Sequence, residues 1–305
     1  MKHWIIGCSI VTTAIAALSL VPSESHYLKA PFDGKQLGSI ISMGDVEYGE
    51  KTVKLGKTQP NSRAALWFNS PVSYQEWQVT LSFEMKGPNH GSDGIALWYV
   101  RQPGQSGPVF GGPERWNGLG VFVDGFDNDS KGNNPAIMGV LNQGDFNYRM
   151  DTDGEGQYFG GCVRNVRNTP GPVWMRITYI NRLLKIEVDD HKEGEDYLSC
   201  LERGNTDLPL GYFFGISAGT GQVADEFYIH SFSLYDLKRK AESEIASKEA
   251  SNSQSGQFGM DMQNSISLSG METLMKNMQS NLNVVLGAFK PGDRSILKRL
   301  NDLEY

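Results

Sequence analysis

The chain has 305 residues, 39% hydrophobic and 21% charged, with a net charge of −7 at neutral pH. That length supports a full hydrophobic core. The acidic balance, without any basic run, argues against nucleic acid and against anionic membrane surfaces as partners.

Met1 to His3 is a short polar start carrying Lys2, and Trp4 to Val21 (WIIGCSIVTTAIAALSLV) is apolar apart from a few hydroxyls. Ser23 and Ser25 then fall at the −3 and −1 positions of a cleavage site. This is the layout of a secretory signal peptide over residues 1–25. The alternative is an uncleaved anchor, because the run approaches the length of a membrane span; no second run of that length follows. Cleavage removes Lys2, Glu24 and Cys8, so the net charge is unchanged and two cysteines remain, Cys162 and Cys200. An even count in a secretory chain predicts a disulfide, worth about 3–4 kcal/mol in the chain-entropy account. Two free buried thiols are the alternative.

Residues 26–236 read as one all-β domain. Trp77, Val79, Leu81, Phe83 and Met85 alternate with polar neighbours, the period of a half-buried strand. Ile95 to Val100 (IALWYV) and Leu119 to Val123 are continuous apolar runs, as in strands buried on both faces. Val173–Tyr179 and Leu183–Val188 form a hairpin about "INR", and Tyr212–Ala218 and Phe227–Tyr235 are two late strands. Many strands, Gly- and Asn-rich turns and no long amphipathic helix predict a large β-sandwich. Residues 237–305 differ in composition. "KRKAESEIASKEASNSQSGQFG" is a Ser-rich linker with a short helical start. Met271, Leu274, Met275, Met278, Leu282 and Val285 then recur at helical spacing. Residues 271–286 thus offer a stripe for self-association or for a partner helix, or for plain packing. Pro291-Gly292 ends that helix, and Arg294 to Leu303 forms a last short one.

One stretch carries chemistry. "GVFVDGFDND" (120–129) begins as a buried strand and ends in a crowd of acids. Neighbouring carboxylates repel unless protons or a cation neutralise them. The donors of "DGFDNDSKGNN" (124–134) suit Ca²⁺, which accepts six to eight hard oxygens in loose geometry. There is no EF-hand, since no Glu closes a twelve-residue loop between helices. A solvated acidic loop is the alternative.

The motifs "SDGIALWYV", "GPVFGG", "RWNGLGVFVDGFDND", "NNPAI" and "GISAGTG" occur in this order. Together they resemble the L-type lectins of the early secretory pathway, cargo-receptor lectins distantly similar to legume lectins, over about residues 28–236. The resemblance implies a concanavalin A-like sandwich (jelly roll) that binds mannose-rich N-glycans through Ca²⁺. It implies Asp124 and Asn128 as side-chain calcium ligands, the Phe126 carbonyl as a third and Asp153 as the distant one. Asp127, Asp129, Asn133 and Asn134 would hold a second ion or brace the loop. Asp93 resembles the sugar-binding Asp, and its peptide with Ser92 is expected to be cis. Asn128 would touch both ion and sugar, and Gly221, Gln222 and Val223 fall on the family's specificity loop. Cys162 and Cys200 resemble the family's disulfide pair. The implied partners are mannose-containing N-glycans and cargo glycoproteins in the lumen of the endoplasmic reticulum and Golgi, with secretion also open.

Two residues depart from the family pattern. Met150 stands where these lectins carry a sugar-binding His, which removes a hydrogen bond worth about 0.5–1.5 kcal/mol. Gln222 stands where a Gly is common. The family's transmembrane span and sorting tail have no counterpart after residue 237, and no Lys-Asp-Glu-Leu-type signal ends the chain. "NDS" at Asn128 is an N-glycosylation pattern; a glycan there would obstruct the site, and it is read as unused because a metal-bound rigid loop folds away from the modifying enzyme. Two other readings stay open. A glycoside hydrolase needs a carboxylate pair across the scissile bond, and no E-x-D-x-x-E strand supplies one. "EVDDHKEGED" (187–196) reads as a strand end and solvated turn. The third reading is a lectin-fold interaction module with weakened or lost sugar binding.

Overall fold

The computed structural model describes residues 21–89, 91 and 93–238. The expected signal segment lies almost entirely outside them, as do the 271–286 helix and the Ser92–Asp93 peptide. Fifteen strands run β1 Tyr27–Lys29, β2 Ile40–Gly44, β3 Val46–Tyr48, β4 Val53–Leu55, β5 Arg63–Phe68, β6 Trp77–Lys86, β7 Gly94–Val100 and β8 Asn117–Asp124. They continue with β9 Ala136–Gln143, β10 Gly160–Val163, β11 Val173–Ile180, β12 Leu183–Asp189, β13 Leu198–Arg203, β14 Phe213–Gly219 and β15 Glu226–Asp236. A short helix, Gly34–Gly38, is capped by Asp33, whose carboxylate accepts from the Gln36 N–H.

The strands form two antiparallel sheets. The eight-stranded one is ordered β13-β12-β11-β6-β15-β4-β3, with β1 also pairing β15; the seven-stranded one is ordered β10-β9-β8-β7-β14-β5-β2. The alternation seen in Trp77–Met85 has its expected cause, since those five side chains all point into the core between the sheets. The hairpin is also as expected. Ile180 pairs with Leu183, and Asn181 and Arg182 both take positive φ, the two-residue turn that matches strand twist.

The continuous apolar runs of β7 and β8 reflect burial on both faces. Ile95, Leu97 and Tyr99, with Leu119, Val121 and Val123, fill the core between the sheets. Ala96, Trp98 and Phe122 point the other way, into a second aromatic layer closed by Val109, Phe110, Trp116 and Tyr148. Trp98 meets Trp116 and Phe122 edge-on at 5.1 and 5.3 Å. Its Nε1 donates to Ser217 Oγ, which donates to Phe110 O, so no polar atom of this chain of contacts is left bare. Two cores, one on each face of the seven-stranded sheet, hold its strand ends rigidly. Cys162 and Cys200 are joined, tying β10 to β13 across the edges of the two sheets. Among the described residues no helix is long and apolar enough to cross a membrane.

Candidate metal and carbohydrate site

Register brings the carriers of the acidic cluster together. At one end of the seven-stranded sheet, Gly94 of β7 pairs with Asp124 of β8 on one side and with Gly219 of β14 on the other. Asp93 just precedes this point and residues 221–223 just follow it. Asp93 N–H donates to Gly219 O at 3.0 Å, and Gly125 N–H donates to Asp93 O at 2.8 Å. Asp153 arrives from the far side of β9 as the left-handed residue (φ 47°) that ends a 3-10 turn, Met150–Thr152.

The electrostatics of this end are costly. Asp124 is 1% exposed and Asp153 5%. Burial pushes the Asp124 carboxyl well above the usual carboxylate range, and the charges of Asp153 and Asp93 add to it; the Phe126 N–H, donating at 3.1 Å, offsets only part. Burial raises Asp153 too, against N–H donors from Asn128 and Asp129 at 3.0 and 3.2 Å, with Asp129 and Asp127 adding like charge. Carboxylate oxygens of Asp127, Asp129 and Asp153 lie within 4.8 Å of one another. Lys131 supplies local positive charge, bridging Asp129 and Glu155 at 2.9 and 2.7 Å and holding the Asp129 carboxyl below its usual range.

Acceptor oxygens face one another here. With its nitrogen turned inward, the Asn128 amide donates to Asp153 Oδ1 at 2.8 Å and to Met150 O at 3.3 Å. With its oxygen turned inward, three acceptors crowd together, an arrangement that only a cation among them makes favourable. Asn133 Oδ1 is buried with no hydrogen-bond partner. Buried carboxylates, an amide oxygen able to turn inward and an orphaned acceptor fit a hard divalent cation. The Phe126 carbonyl already accepts from Asn134 Nδ2 at 2.7 Å, which leaves one lone pair for an ion.

The expected sugar-facing residues have distinct surroundings. Met150 is half-buried and packs against the aromatic layer. Gln222 is exposed, Val223 is 39% exposed, and Gly221 O accepts from the Asn61 N–H at 3.0 Å. Asn128 is exposed as a residue but its amide turns onto Asp153 and Met150.

The 187–196 segment is the expected strand end and exposed turn, but it closes on a buried carboxylate. Asp189 is 0% exposed and accepts from the N–H groups of His191, Lys192, Gly194 and Asp196. Sequence reading also missed Arg167 and Asp225, which make a bidentate pair, both distances 2.7 Å, beside the Asp93 segment. A fork between residues so far apart in the chain has no local motif; the nearest signal is the pair of glycines, Gly87 and Gly91, that clears space for it.

Residues 22–244 match the model of the legume-like lectin family. Mouse ERGIC-53 is 36% identical over 206 residues, 65% of this chain and 40% of that protein. Human VIP36-like protein is 33% identical over 224 residues, 70% of this chain and 64% of that protein. The chain thus spans less than two thirds of the length of these curated relatives. The VIP36 exoplasmic/lumenal domain, in a form bound to Ca²⁺ and Man3GlcNAc, superposes with a TM-score of 0.67 at 29% identity, over 71% of this chain and 92% of that one. Its metal-free form matches with the same TM-score. On the family match and the shared sandwich, the chain belongs to the legume-like lectin family.

Proposed function

We propose that this protein is a Ca²⁺-dependent lectin that binds mannose-rich N-glycans on glycoproteins in the lumen of the endoplasmic reticulum and Golgi and serves their sorting or transport. The observation that carries the reading is the crowd of acceptors at one end of the sheet, buried Asp124 and Asp153 with the Asn128 amide turned onto Asp153, beside the Asp93 main chain. The family is one of lectins, not enzymes, and the relative with a similar fold has been crystallised with Ca²⁺ and mannose-containing ligands.

In this reading Asp124, Asn128, Asp153 and the Phe126 carbonyl hold the ion. Asp127, Asp129, Asn133 and Asn134 brace the loop or hold a second one. The ion supplies charge neutralisation and a fixed loop, nothing more. Asp93 accepts from two sugar hydroxyls, Asn128 turns its outer amide atom to the sugar, and main-chain N–H groups of Gly221, Gln222 and Val223 close the pocket. Met150 brings no donor, so the sugar is held with one hydrogen bond fewer than the family pattern provides. The same Met150, packed on the aromatic layer, favours the second reading, an interaction module with lost sugar binding.

A glycan array run with Ca²⁺ and with chelator separates the two. The lectin reading expects mannose-terminated glycans to be retained only with Ca²⁺. Retention of no glycan in either condition overturns it in favour of the interaction module.

A further inference from the structure

Two crossovers run side by side at the site end of the sandwich. The connection that leaves β6 at Gly87 and enters β7 through Asp93 passes from one sheet to the other, and residues 220–225 carry the chain back from β14 to β15. The first bears Asp93 and the second bears Gly221, Gln222 and Val223. The Asp93 N–H bond to Gly219 O joins them at the β7 and β14 end.

Arg167 contacts both crossovers. Its Nε and Nη2 donate to the two carboxylate oxygens of Asp225, each at 2.7 Å, and Nη2 also donates to Pro88 O at 2.8 Å. One guanidinium therefore grips both crossovers. The pair is deeply buried, with side chains 10% and 0% exposed, so water screens it little. Its neighbour Asn168, itself in a left-handed conformation (φ 53°), exchanges two hydrogen bonds of 3.0 Å with the Gly87 main chain and donates its N–H to Met85 O at 2.9 Å. The Arg167–Asn168 step is thereby pinned to the end of β6. The space is tightly matched, because a Cβ added at Gly87 or Gly91 would overlap Asp225 Oδ1. The Arg167 stem also lies against the start of the acidic loop, 3.1 Å from where a Cβ on Gly125 would stand.

We infer that Arg167 is a positioning residue for sugar binding, its fork to Asp225 locking the Gly221–Val223 crossover onto the Asp93 crossover. The inference rests on the lectin reading above and adds to it a clamp that does not use the metal. The bidentate geometry is what counts, since two parallel N–H···O bonds fix orientation as well as distance. A Lys ammonium keeps the charge but cannot form the fork. Pre-set spacing of the two walls lowers the ordering cost when a sugar enters between them.

Two variants test it. Arg167→Lys retains the charge and the stem against Gly125. Gly87→Ala crowds Asp225 Oδ1 and opens the fork while leaving both charged side chains in place in the sequence, and its added methyl touches neither Asp93 nor the acidic loop. A mannose disaccharide is titrated calorimetrically into each at saturating Ca²⁺, alongside a Ca²⁺ titration and a thermal melt. The expected result is a sugar Kd weakened about tenfold in each variant that folds, with the Ca²⁺ Kd kept within about twofold of the parent. A folded variant that keeps the parent's sugar affinity overturns the inference. So does a parallel loss of Ca²⁺ and sugar affinity, which marks a merely structural residue. A parent that binds no sugar at saturating Ca²⁺ overturns the lectin reading instead, and the positioning role falls with it.

Discussion

The molecule contains two acid-rich turns of similar composition and opposite electrostatics. In residues 189–196, Asp189 is buried, yet four backbone N–H groups at 2.8–3.0 Å converge on it and hold its carboxyl at about 2. In residues 124–129, Asp124 is equally buried but is offered one backbone N–H, and it faces Asp153 and Asp93, so its carboxyl is pushed up. Burial raises both carboxyls, Asp124 the more heavily; four donors outweigh it at Asp189, whereas at Asp124 one donor does not and two like charges add to it. The first turn settles its charge with its own main chain. The second leaves charge and oxygen lone pairs unsettled, as expected of a loop that takes a cation.

The largest expected effect breaks the settled turn. Asp189→Ala removes the acceptor of four N–H groups and should cost about 3 kcal/mol or more in denaturant unfolding, equally with Ca²⁺ and with chelator. The corresponding change in the unsettled turn has the opposite sign. Asp124→Asn keeps the shape and removes the buried charge, so the metal-free protein should gain stability on the order of 1 kcal/mol.

Acidity sharpens the same contrast. A carboxyl raised in the folded state contributes stability that is present below its usual value of 3.8 and is lost as pH rises through the folded value. Asp124 and Asp153 are of this kind. Asp189 is the reverse, contributing above 3.8 and losing its contribution as pH falls toward about 2. The stabilisation by Ca²⁺, read as the difference in melting temperature with and without chelator, should therefore grow as pH rises above 3.8 through the folded values, because the ion no longer has to displace protons from the two raised carboxyls. An increment that shrinks over that range would contradict the assignment.

How much of this the sequence discloses depends on whether a residue's reason is local. β6, β7, β8, β11, β12, β14 and β15 are legible because long apolar alternation or apolar runs record which faces are buried. β1, β2, β3, β4, β5, β9, β10 and β13 escape notice: segments such as VEY and VKL are too short to show a period and are held by their neighbours, and the longer RAALWF and AIMGVLNQ lack a regular polar alternation. The second core explains why β7 and β8 lack polar positions, but only its four covering side chains, spread from Val109 to Tyr148, reveal it. Asp124, Asn128, Asp153 and Asp93 are singled out by the family motifs, and strand register brings their segments to one end of the sheet. The Asp189 turn and the Arg167 fork are not legible, because each is made by main-chain donors or by a distant partner.

The smallest expected effect concerns what the unsettled turn is for. Met150→His restores a donor beside Asn128 and should tighten a mannose disaccharide by about 0.5–1.5 kcal/mol in calorimetry. Asp93→Ala should abolish sugar binding in both backgrounds while the Ca²⁺ affinity persists. No gain from Met150→His would show that the half-buried methionine has reshaped the pocket beyond one missing bond.

The central claim is that the 124–129 turn and Asp153 are completed by Ca²⁺, and thermal melting tests it most directly. Parent and Asp124→Asn are melted with chelator, with Ca²⁺ and with Mg²⁺. At a hundredfold excess over Kd, Ca²⁺ should stabilise the parent by about 2.7 kcal/mol, and Mg²⁺, which dehydrates reluctantly, should do little. Asp124→Asn should show no increment. Identical melts of the parent in all three conditions would contradict the account.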